Sequence, residues 1–385
     1  MFPLSNLSNS TFNYSTSALA QPFIQTVKHR DLVIDLGNGI QTKAQLTIPA
    51  VGNGPFPGVL LVAGSGAVDM NETLSSDSKP FWQIAQYLSE RGFAVLRYDK
   101  RGIGANSQII DTNIWGNLTF NDLKNHAEIA LGVLAQQPEI DPNRITLIGH
   151  SEGTIIVPRI VIDQEENKTN STAIKNIVLM GSAATTMADL AYYQKVGIAL
   201  EYMHQVLAKN GTGSISVEEA IQDPLVGRFI VANFGNDTAA SIDIDRQVKP
   251  LLEKELEEFT KADVNARCDN PEGCPIWFNS AVNLEPNLSV IGNLSKSASI
   301  LMLNGENDPL TPVQQSFLLE QRLTEVDHPD HTLITYPDLG HSFAISPRWS
   351  TGLGPIEQYV LSDLHSWLSH RTHDLRDIVT DKDRQ

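Results

Sequence analysis

The amino-acid sequence predicts an α/β fold built on an eight-stranded, mostly parallel sheet flanked by helices, with a mainly helical insertion. Strand-like apolar runs alternate with helix-like stretches, which is typical of βα units and a parallel sheet. The first two runs are instead joined by Gly37-Asn38-Gly39, a hairpin signal. Roughly a hundred residues or more separate the sixth run from the seventh, far beyond an ordinary βα connection, so this spacing indicates an inserted domain.

The predicted strands are rich in apolar and β-branched residues and end at turn residues. In chain order they span 31–36, 42–49, 58–64, 94–99, 144–150, 176–182, 299–305 and 332–338. Helix-like patterns occupy 79–91, 121–137 and 152–163, and within the insertion 187–208, 217–234 and 245–264. We therefore divide the chain into four parts. They are a polar N-terminal tail (1–25), a discontinuous core (26–186 and 285–373), an inserted domain (187–284) and a C-terminal tail (374–385).

Composition and charge exclude several classes of partner. Hydrophobic residues make up 41% and charged residues 19% of the chain, and no apolar run approaches the roughly 18 residues that span a bilayer. The formal net charge of -17 repels phosphate backbones and acidic lipid surfaces. The sequence therefore predicts neither a nucleic-acid partner nor a membrane partner.

Features bearing on the compartment point in different directions. The N-terminal stretch lacks a basic segment and a continuous apolar segment, so it is not a signal peptide. Cys268 and Cys274 flank a turn containing proline and glycine and can close a small disulfide loop, with two free thiols as the alternative. N-glycosylation acceptor patterns exceed the about four expected by chance; they begin at Asn6, Asn9, Asn13, Asn71, Asn117, Asn167, Asn170, Asn210, Asn236, Asn287 and Asn293. The sequon excess and the paired cysteines slightly favour an extracellular or cell-envelope location over the cytoplasm.

The stretch "LIGHSEGTII" carries the main catalytic signal. It places Gly149-His150-Ser151-Glu152-Gly153 between a predicted strand and a predicted helix, which is the context of a G-x-S-x-G nucleophile elbow. A chance match in a loop is the alternative, and the strand-to-helix context disfavours it. Because a serine hydroxyl is a weak nucleophile, this chemistry requires an imidazole to take its proton and a carboxylate to orient that imidazole.

The acid and the base are sought downstream, in the order serine, acid, histidine. Asp308 follows the 299–305 strand and is the predicted acid, and His341 follows the last strand and is the predicted base. The alternative acids are Glu306, Asp327 and Asp330. The alternative histidines precede the last strand or lie on or beyond the terminal helix; they are His328, His331, His365, His370 and His373.

Backbone N–H groups are the expected oxyanion donors. The amide of Glu152 lies at the start of the helix after the elbow, where the helix dipole favours negative charge. The second donor is predicted to be the amide of Ser65, because Gly64 and Gly66 allow close approach of the backbone; a flexible strand-exit turn is the alternative reading of this "GSG". For the carboxylate of Glu152 we hypothesise that it braces the 64–73 loop through hydrogen bonds.

Three segments resemble motifs of one family. "GSGAVDMNET" (64–73), "RYDKRGIGANS" (97–107) and "GHSEGT" (149–154) are similar to the "GSGPxDRDET", "RYDKRGxGxS" and "GHSEGG" segments of the α/β-hydrolase superfamily, in its carboxylesterase-like branch related to serine aminopeptidases. The resemblance covers about residues 30 to 370. It implies an α/β-hydrolase fold and makes the insertion a cap domain that roofs the pocket. It assigns Ser151, Asp308 and His341 to a triad and the amides of Ser65 and Glu152 to the oxyanion hole.

The chain departs from the branch at three positions. Ala67, Met70 and Thr154 replace the usual proline, basic residue and glycine, so substrate preference does not carry over from the resemblance. A glycan on Asn71 would obstruct this loop, so we expect that sequon to be bare.

The sequence-based prediction is a serine hydrolase that needs no cofactor or metal and cleaves small-molecule carboxylic esters of small to medium acyl chains. An aminopeptidase or amidase using the same triad is the alternative. It would need acidic residues that read a free amine, for which Glu201, Glu218 and Glu219 are candidates by composition alone. A hydrolase fold retained as a non-catalytic binding protein is a third possibility.

Overall fold

The structure is a computed structural model that describes residues 26–166, 172–208, 211–264 and 266–372. The predicted tails 1–25 and 374–385 lie outside the described residues, as does His373. The same holds for the sequon residues Asn6, Asn9, Asn13, Asn167, Asn170 and Asn210. Within the described part of the chain, no helix is both long enough and apolar enough to cross a bilayer.

The main sheet has the eight predicted strands. They are β1 (Val27–Asp35), β2 (Gln41–Pro49), β3 (Phe56–Val62), β4 (Ala94–Tyr98), β5 (Ile140–His150), β6 (Ile174–Met180), β7 (Ser299–Gly305) and β8 (His331–Tyr336). Their order across the sheet is β1, β2, β4, β3, β5, β6, β7, β8. Only β2 is antiparallel to its neighbours β1 and β4, and the remaining pairs are parallel. The predicted eight-stranded, mostly parallel sheet is therefore confirmed.

The hairpin between β1 and β2 forms at the predicted glycines. The two strands pair in continuous register from Val27 opposite Pro49 to Asp35 opposite Gln41. Gly37, Asn38 and Gly39 all have positive φ, at 87°, 54° and 76°. This left-handed backbone is accessible to glycine and tolerated by asparagine, so these residues allow the tight reversal.

Helices cover both faces of the sheet. Those outside the insertion are α1 (Pro80–Ser89), α2 (Thr112–Gly116), α3 (Phe120–Ala135), α4 (Gly153–Glu166), α11 (Asn287–Ile291), α12 (Val313–Glu325) and α13 (Gln358–Thr372). One buried core includes Leu131 of α3, Val157 of α4 and Leu319 of α12. A second includes Ile84 of α1 and Leu364 of α13. A short hairpin pairs Ile103–Gly104 with Gln108–Ile109 around a 3-10 turn at Ala105–Ser107.

Helix α3 begins where local sequence satisfies its free amides. The hydroxyl of Thr119 accepts from the N–H of Asp122 at 3.1 Å, and the carboxylate of Asp122 accepts from the N–H of Thr119 at 2.9 Å. This reciprocal capping box satisfies two N–H groups that have no partner inside a helix. The start of α3 is thus encoded by four residues of sequence.

The insertion between β6 and β7 is mainly helical. Its helices are α5 (Met187–Tyr192), α6 (Ile198–Tyr202), α7 (Val217–Ala220), α8 (Gly227–Phe234), α9 (Lys249–Thr260) and α10 (Pro275–Ala281). Segments Tyr193–Gly197, Met203–Leu207 and Ile244–Val248 are π-helical, and Ser214–Ser216 pairs with Ser241–Asp243 as two short antiparallel strands. The short strands and the π-helical turns were not predicted.

The helix predicted over 217–234 is interrupted. It ends at Ala220 and resumes at Gly227, because the carboxylate of Asp223 accepts from the amides of Leu225 and Val226 at 2.9 and 3.0 Å. Pro224 lacks an N–H and disfavours a helical conformation at the residue before it. The turn at 223–226 therefore interrupts the helix that the apolar periodicity of 217–234 predicts.

The insertion buries a hydrophobic cluster of its own. This cluster contains Val196, Met203, Ile230 and Val248. Its last helix, α10, instead packs into the main core through Phe278. The domain boundaries at 186/187 and 284/285 stay a prediction.

Candidate active site

The parallel strands bring the predicted site residues to one edge of the sheet. Ser65 follows β3, Ser151 follows β5, Asp308 follows β7 and His341 follows β8, and each of these strands ends at the same edge. A cavity of about 620 Å³ lies there and is lined by Ser65, Ser151, Glu152 and His341. Asp308 is buried and bonds to His341.

Ser151 lies on a strained turn between β5 and α4. Its φ is 53°, a left-handed value that is unfavourable for a residue with a Cβ, and its N–H donates to the carbonyl of Met180 at 2.9 Å. A Cβ on Gly149 would lie 2.3 Å from the carbonyl oxygen of Gly153, and a Cβ on Gly153 would lie 2.1 Å from that of Val62. Both glycines are therefore required sterically for this turn against β3.

Asp308 orients the ring of His341. Its Oδ2 lies 2.8 Å from His341 Nδ1 and also accepts from the hydroxyl of Thr311 at 2.7 Å. Burial alone would raise the pKa of Asp308, but the His341 imidazole and the Thr311 hydrogen bonds hold that pKa below its ordinary value. Because a carboxylate only accepts, Nδ1 carries the proton, and Nε2 of a neutral His341 is the acceptor.

Two backbone amides at the cavity are free to donate. In the described ranges, neither the N–H of Ser65 nor that of Glu152 has an acceptor within the protein. Glu152 immediately precedes α4, whose N-terminal end favours negative charge. A developing oxyanion between these amides would find two donors that need not break an existing hydrogen bond.

Buried carboxylates fix the loop that carries Ser65. Asp69 accepts from the amides of Thr73 and Asn106, each at 3.0 Å, and Asp99 accepts from the amide of Met70 at 2.7 Å. Each of these bonds to a charged acceptor is stronger than a neutral one. The 64–73 loop is thus held by a hydrogen bond within itself and by two hydrogen bonds to the 99–106 segment that follows β4.

The sequon residue Asn71 is engaged inside this loop. Its Oδ1 accepts from Nη1 of the buried Arg97. A glycan would attach to Nδ2 of the same amide, beside this contact with a buried guanidinium, which supports our expectation that Asn71 is bare.

The carboxylate of Glu152 is buried and hydrogen-bonded, which agrees with our hypothesis that it braces the 64–73 loop, but the bracing runs through a second side chain. Its Oε2 lies 3.3 Å from Lys100 Nζ, and its Oε1 accepts from Trp277 Nε1 at 2.5 Å. Lys100 in turn donates to the carbonyls of Gly64 and Gly66 at 2.5 and 3.1 Å. Glu152 therefore braces the loop through a buried lysine, because a carboxylate cannot donate to carbonyl oxygens.

Sequence reasoning assigned no role to Lys100 or Trp277. Lys100 follows β4 at the same edge of the sheet, within the quoted "RYDKRG", so its position there was readable from the strand pattern. Trp277 lies 125 positions beyond Glu152 in α10, and no local signal points to that contact.

The segment 268–274 forms one wall of the cavity. Cys268 and Cys274 are joined by a disulfide, and residues 270–273 line the cavity. The N–H of Ala67 donates to the carbonyl of Pro271 at 2.7 Å. Ala67 stands where the resembling family has proline, which lacks an N–H, so in this chain the 64–73 loop can hydrogen-bond to the disulfide loop.

Opening this disulfide should weaken the expected ester hydrolysis. Replacing Cys268 and Cys274 together by serine should lower kcat/KM by roughly 2- to 10-fold, the effect of about one neutral hydrogen bond, because Pro271 is no longer held against Ala67. Steady-state kinetics of both proteins with and without dithiothreitol test this. The kcat/KM of the reduced wild type should match that of the variant, and dithiothreitol should not change the kcat/KM of the variant. Identical kinetics under all conditions would contradict the coupling.

Thr154, which replaces a glycine of the family motif, ties the elbow to the next strand end. Its hydroxyl donates to the carbonyl of Ser151 at 2.6 Å and accepts from the amide of Ala183 at 3.2 Å. The side chain of Asn287 donates to the carbonyl of Thr154 at 3.0 Å and is buried. The sequon at Asn287 is therefore unavailable for a glycan in the folded protein.

The alternative acids and bases lie away from the cavity. Asp330 pairs with Arg371, and Glu306 accepts from Thr335. None of the described alternatives lines the cavity that contains Ser151; these are Glu306, Asp327, Asp330, His328, His331, His365 and His370.

The insertion supplies the apolar wall of the cavity. Its contributions are Met187 and Leu190 from α5, Leu256 and Phe259 from α9, and Phe278 from α10. Such a wall favours an apolar substituent on the substrate.

Every glutamate that lines the cavity, within the described ranges, is paired. Glu72 contacts His150, Glu152 contacts Lys100, and Glu272 contacts Lys195 at 3.3 Å. The amine-binding candidate Glu201 lines a separate cavity of about 330 Å³ beside Asp308 and Arg348. Glu218 and Glu219 line neither cavity. Among residues 26–166, 172–208, 211–264 and 266–372, no group of three or more histidine, cysteine or acidic side chains is arranged to hold a metal ion.

Comparison with known proteins gives consistent matches. Residues 57–346 match a family model described as the alpha/beta hydrolase fold. Esterase EstD of Thermotoga maritima is 30% identical over 180 residues, covering 46% of this chain and 38% of EstD. Esterase FrsA of Yersinia pestis is 29% identical over 131 residues, covering 34% of this chain and 28% of FrsA. The matched segments thus span well under half the length of these curated relatives.

A solved structure shares the fold. The alpha/beta hydrolase GrgF from Penicillium sp. sh18 superimposes with a TM-score of 0.52 at 15% identity, covering 90% of this chain and 99% of GrgF. At this identity the likeness concerns the fold alone.

Proposed function

Because this chain belongs to the α/β hydrolase fold family, we propose that it is a serine hydrolase that cleaves carboxylic esters of small to medium acyl chains. The observation that carries the proposal is the 2.8 Å contact between Asp308 and His341 at a cavity that also holds the Ser151 elbow. The distant esterase relatives agree with ester chemistry.

The proposed reaction proceeds through an acyl-enzyme. Ser151 Oγ attacks the ester carbonyl carbon while His341 Nε2 takes the hydroxyl proton, and Asp308 holds the proton on Nδ1. The amides of Ser65 and Glu152 stabilise the oxyanion. When the tetrahedral intermediate collapses, the ester C–O bond breaks and His341 protonates the leaving alcohol. Water, deprotonated by His341, then attacks the acyl carbonyl carbon. The bond to Ser151 Oγ breaks, His341 returns the proton to Oγ, and the carboxylic acid leaves. These steps need no metal and no cofactor.

The size and lining of the cavity support the substrate class. We propose residues 187–284 as a cap domain, whose α5, α9 and α10 supply the apolar wall. A volume of about 620 Å³ suits a small or medium acyl chain and its alcohol.

Esterase activity is better supported than aminopeptidase activity. Binding a free ammonium group requires an available carboxylate, and the two buried glutamates that line the described cavity, Glu72 and Glu152, are already paired. The third, Glu272, is exposed and faces Lys195, whose positive charge repels an ammonium group. Amide cleavage by the same triad is therefore the weaker alternative.

A substrate panel tests the proposal. p-Nitrophenyl acetate, butyrate, octanoate and palmitate should be assayed beside leucine p-nitroanilide, and kcat/KM should peak at one of the shorter esters. Faster anilide turnover would favour the peptidase alternative. Absence of any turnover and of serine labelling by a fluorophosphonate would favour a non-catalytic binding protein.

A further inference from the structure

Two buried ionisable groups beside the site have no part in the proposed reaction. Glu72 is 1% exposed and His150, which directly precedes the elbow serine, is 4% exposed. His150 Nδ1 lies 2.9 Å from Glu72 Oε1, and His150 Nε2 lies 3.0 Å from the carbonyl oxygen of His341. The imidazole rings of His150 and His341 are 4.7 Å apart.

The partners of His150 determine its charge. A carboxylate oxygen and a carbonyl oxygen only accept hydrogen bonds, so both ring nitrogens of His150 must donate. A ring that donates from both nitrogens is an imidazolium. Burial by itself lowers the pKa of His150, but the Glu72 carboxylate and the His341 carbonyl more than offset it and raise that pKa. Burial likewise opposes ionisation of Glu72, yet His150 and the Gly64 amide hold the pKa of Glu72 below its ordinary value.

The pair connects three parts of the site. Glu72 Oε1 also accepts from the N–H of Gly64 at 2.8 Å, and Gly64 precedes the proposed oxyanion donor Ser65. His150 adjoins Ser151 in the chain, and its Nε2–H holds the backbone of His341. One ion pair therefore links the start of the 64–73 loop, through Gly64, to the backbone of His341. It does so from a residue adjacent to Ser151.

We propose that the carboxylate of Glu72 and the imidazolium of His150 form a positioning pair, which sets the backbone of His341 and the 64–73 loop in the arrangement required by the transition state. The inference rests on the proposed function. Neither side chain takes a proton from substrate, and both act through the groups they hold.

The charge of the pair is essential to this role. A neutral His150 has one N–H, so either Glu72 or the His341 carbonyl would lose its His150 donor in a buried environment, where an unmatched acceptor is unfavourable. Glu72 also has a positive φ of 52°, a strained conformation that persists where surrounding contacts determine it. The hydrogen bonds to Gly64 and His150 are such contacts.

Glu72→Gln tests the proposal because it keeps the size and the accepting oxygen and removes the charge. We expect kcat, normalised to serine titrated with a fluorophosphonate, to fall about 10- to 100-fold with KM within about twofold, as expected for misplaced reacting groups. His150→Gln should give the same split between kcat and KM. A merely structural role would lower the melting temperature without changing kcat per titrated site.

Nuclear magnetic resonance of ¹⁵N-histidine gives a direct readout of the charge. At about pH 8, above the ordinary histidine pKa of about 6.5, both ring nitrogens of His150 should remain protonated in the wild type and only one in Glu72→Gln. The signals are assigned by their loss in His150→Gln.

His328→Gln is the matched control. His328 is also 4% exposed and also contacts a backbone carbonyl through Nε2, at Ser295, but it precedes β8 and lies at the opposite edge of the sheet. Its kcat should equal that of the wild type. Wild-type kcat in Glu72→Gln and His150→Gln, or a neutral His150, would overturn the pairing and leave the esterase proposal intact. A wild type that neither turns over esters nor is labelled would instead overturn the proposed function.

Discussion

Ser151→Ala is expected to lower kcat for ester hydrolysis by about six orders of magnitude, because nucleophile and base act as a unit. Alanine lacks the Oγ that forms the acyl-enzyme, so no covalent intermediate can form. The base His341 and the amides of Ser65 and Glu152 remain in place but have no nucleophile to assist. The backbone of the elbow should persist, since Ser151 and alanine both carry a Cβ at the observed φ of 53°. Stopped-flow and steady-state assays with p-nitrophenyl acetate, alongside the melting temperature, measure the effect.

The matched control is Ser65→Ala. Ser65 also lines the cavity, but our proposal uses its backbone N–H, which alanine retains. Ser65→Ala should therefore stay within a few-fold of the wild type. Substantial turnover by Ser151→Ala, or a loss in Ser65→Ala as large as in Ser151→Ala, would remove Ser151 from the role of nucleophile.

Much of the fold was predictable because strands and helices leave different periodicities in sequence. Buried parallel strands such as β5 and β7 read as short apolar runs, and the turn at Gly37 to Gly39 marks the antiparallel hairpin. The break between α7 and α8 was missed, because Asp223 and Pro224 compete locally with an otherwise helical pattern.

The candidate site was predictable to the extent that it follows strand ends. In a parallel sheet the segments after β3, β5, β7 and β8 converge at one edge, so Ser65, Ser151, Asp308 and His341 could be grouped without coordinates. Their catalytic roles stay proposals, and the experiments above test them.

The supporting contacts were not predictable in the same way. Lys100 follows β4, so its edge of the sheet could have been read from the strand pattern, yet which of several carboxylates it would meet depends on side-chain packing. His150 was read only as the variable position of the elbow motif, although it holds the His341 backbone 191 positions away. Contacts of this length leave no periodic signal in a single sequence.

Asp308→Asn is expected to lower kcat by about four orders of magnitude while the fold is retained. Asp308 Oδ1 accepts from the amides of Leu310 and Thr311 at 2.8 and 3.0 Å, and the asparagine oxygen can keep both bonds. The asparagine NH2 then faces His341 Nδ1, which must become the acceptor. The ring proton moves to Nε2, and His341 can no longer take the proton of Ser151. Steady-state kinetics and circular dichroism at matched pH measure the loss and the retained fold.

Thr311→Val provides the comparison that separates tautomer control from simple loss of a hydrogen bond. The Thr311 hydroxyl donates to Asp308 Oδ2 at 2.7 Å and lies 3.2 Å from His341 Nδ1, so valine removes a neighbouring bond and preserves the 2.8 Å contact between Asp308 and His341. Its kcat should fall by no more than about tenfold, in keeping with about one hydrogen bond. If Asp308→Asn cost no more than Thr311→Val, Asp308 would not be setting the tautomer. The acid would then have to be sought in another carboxylate near His341.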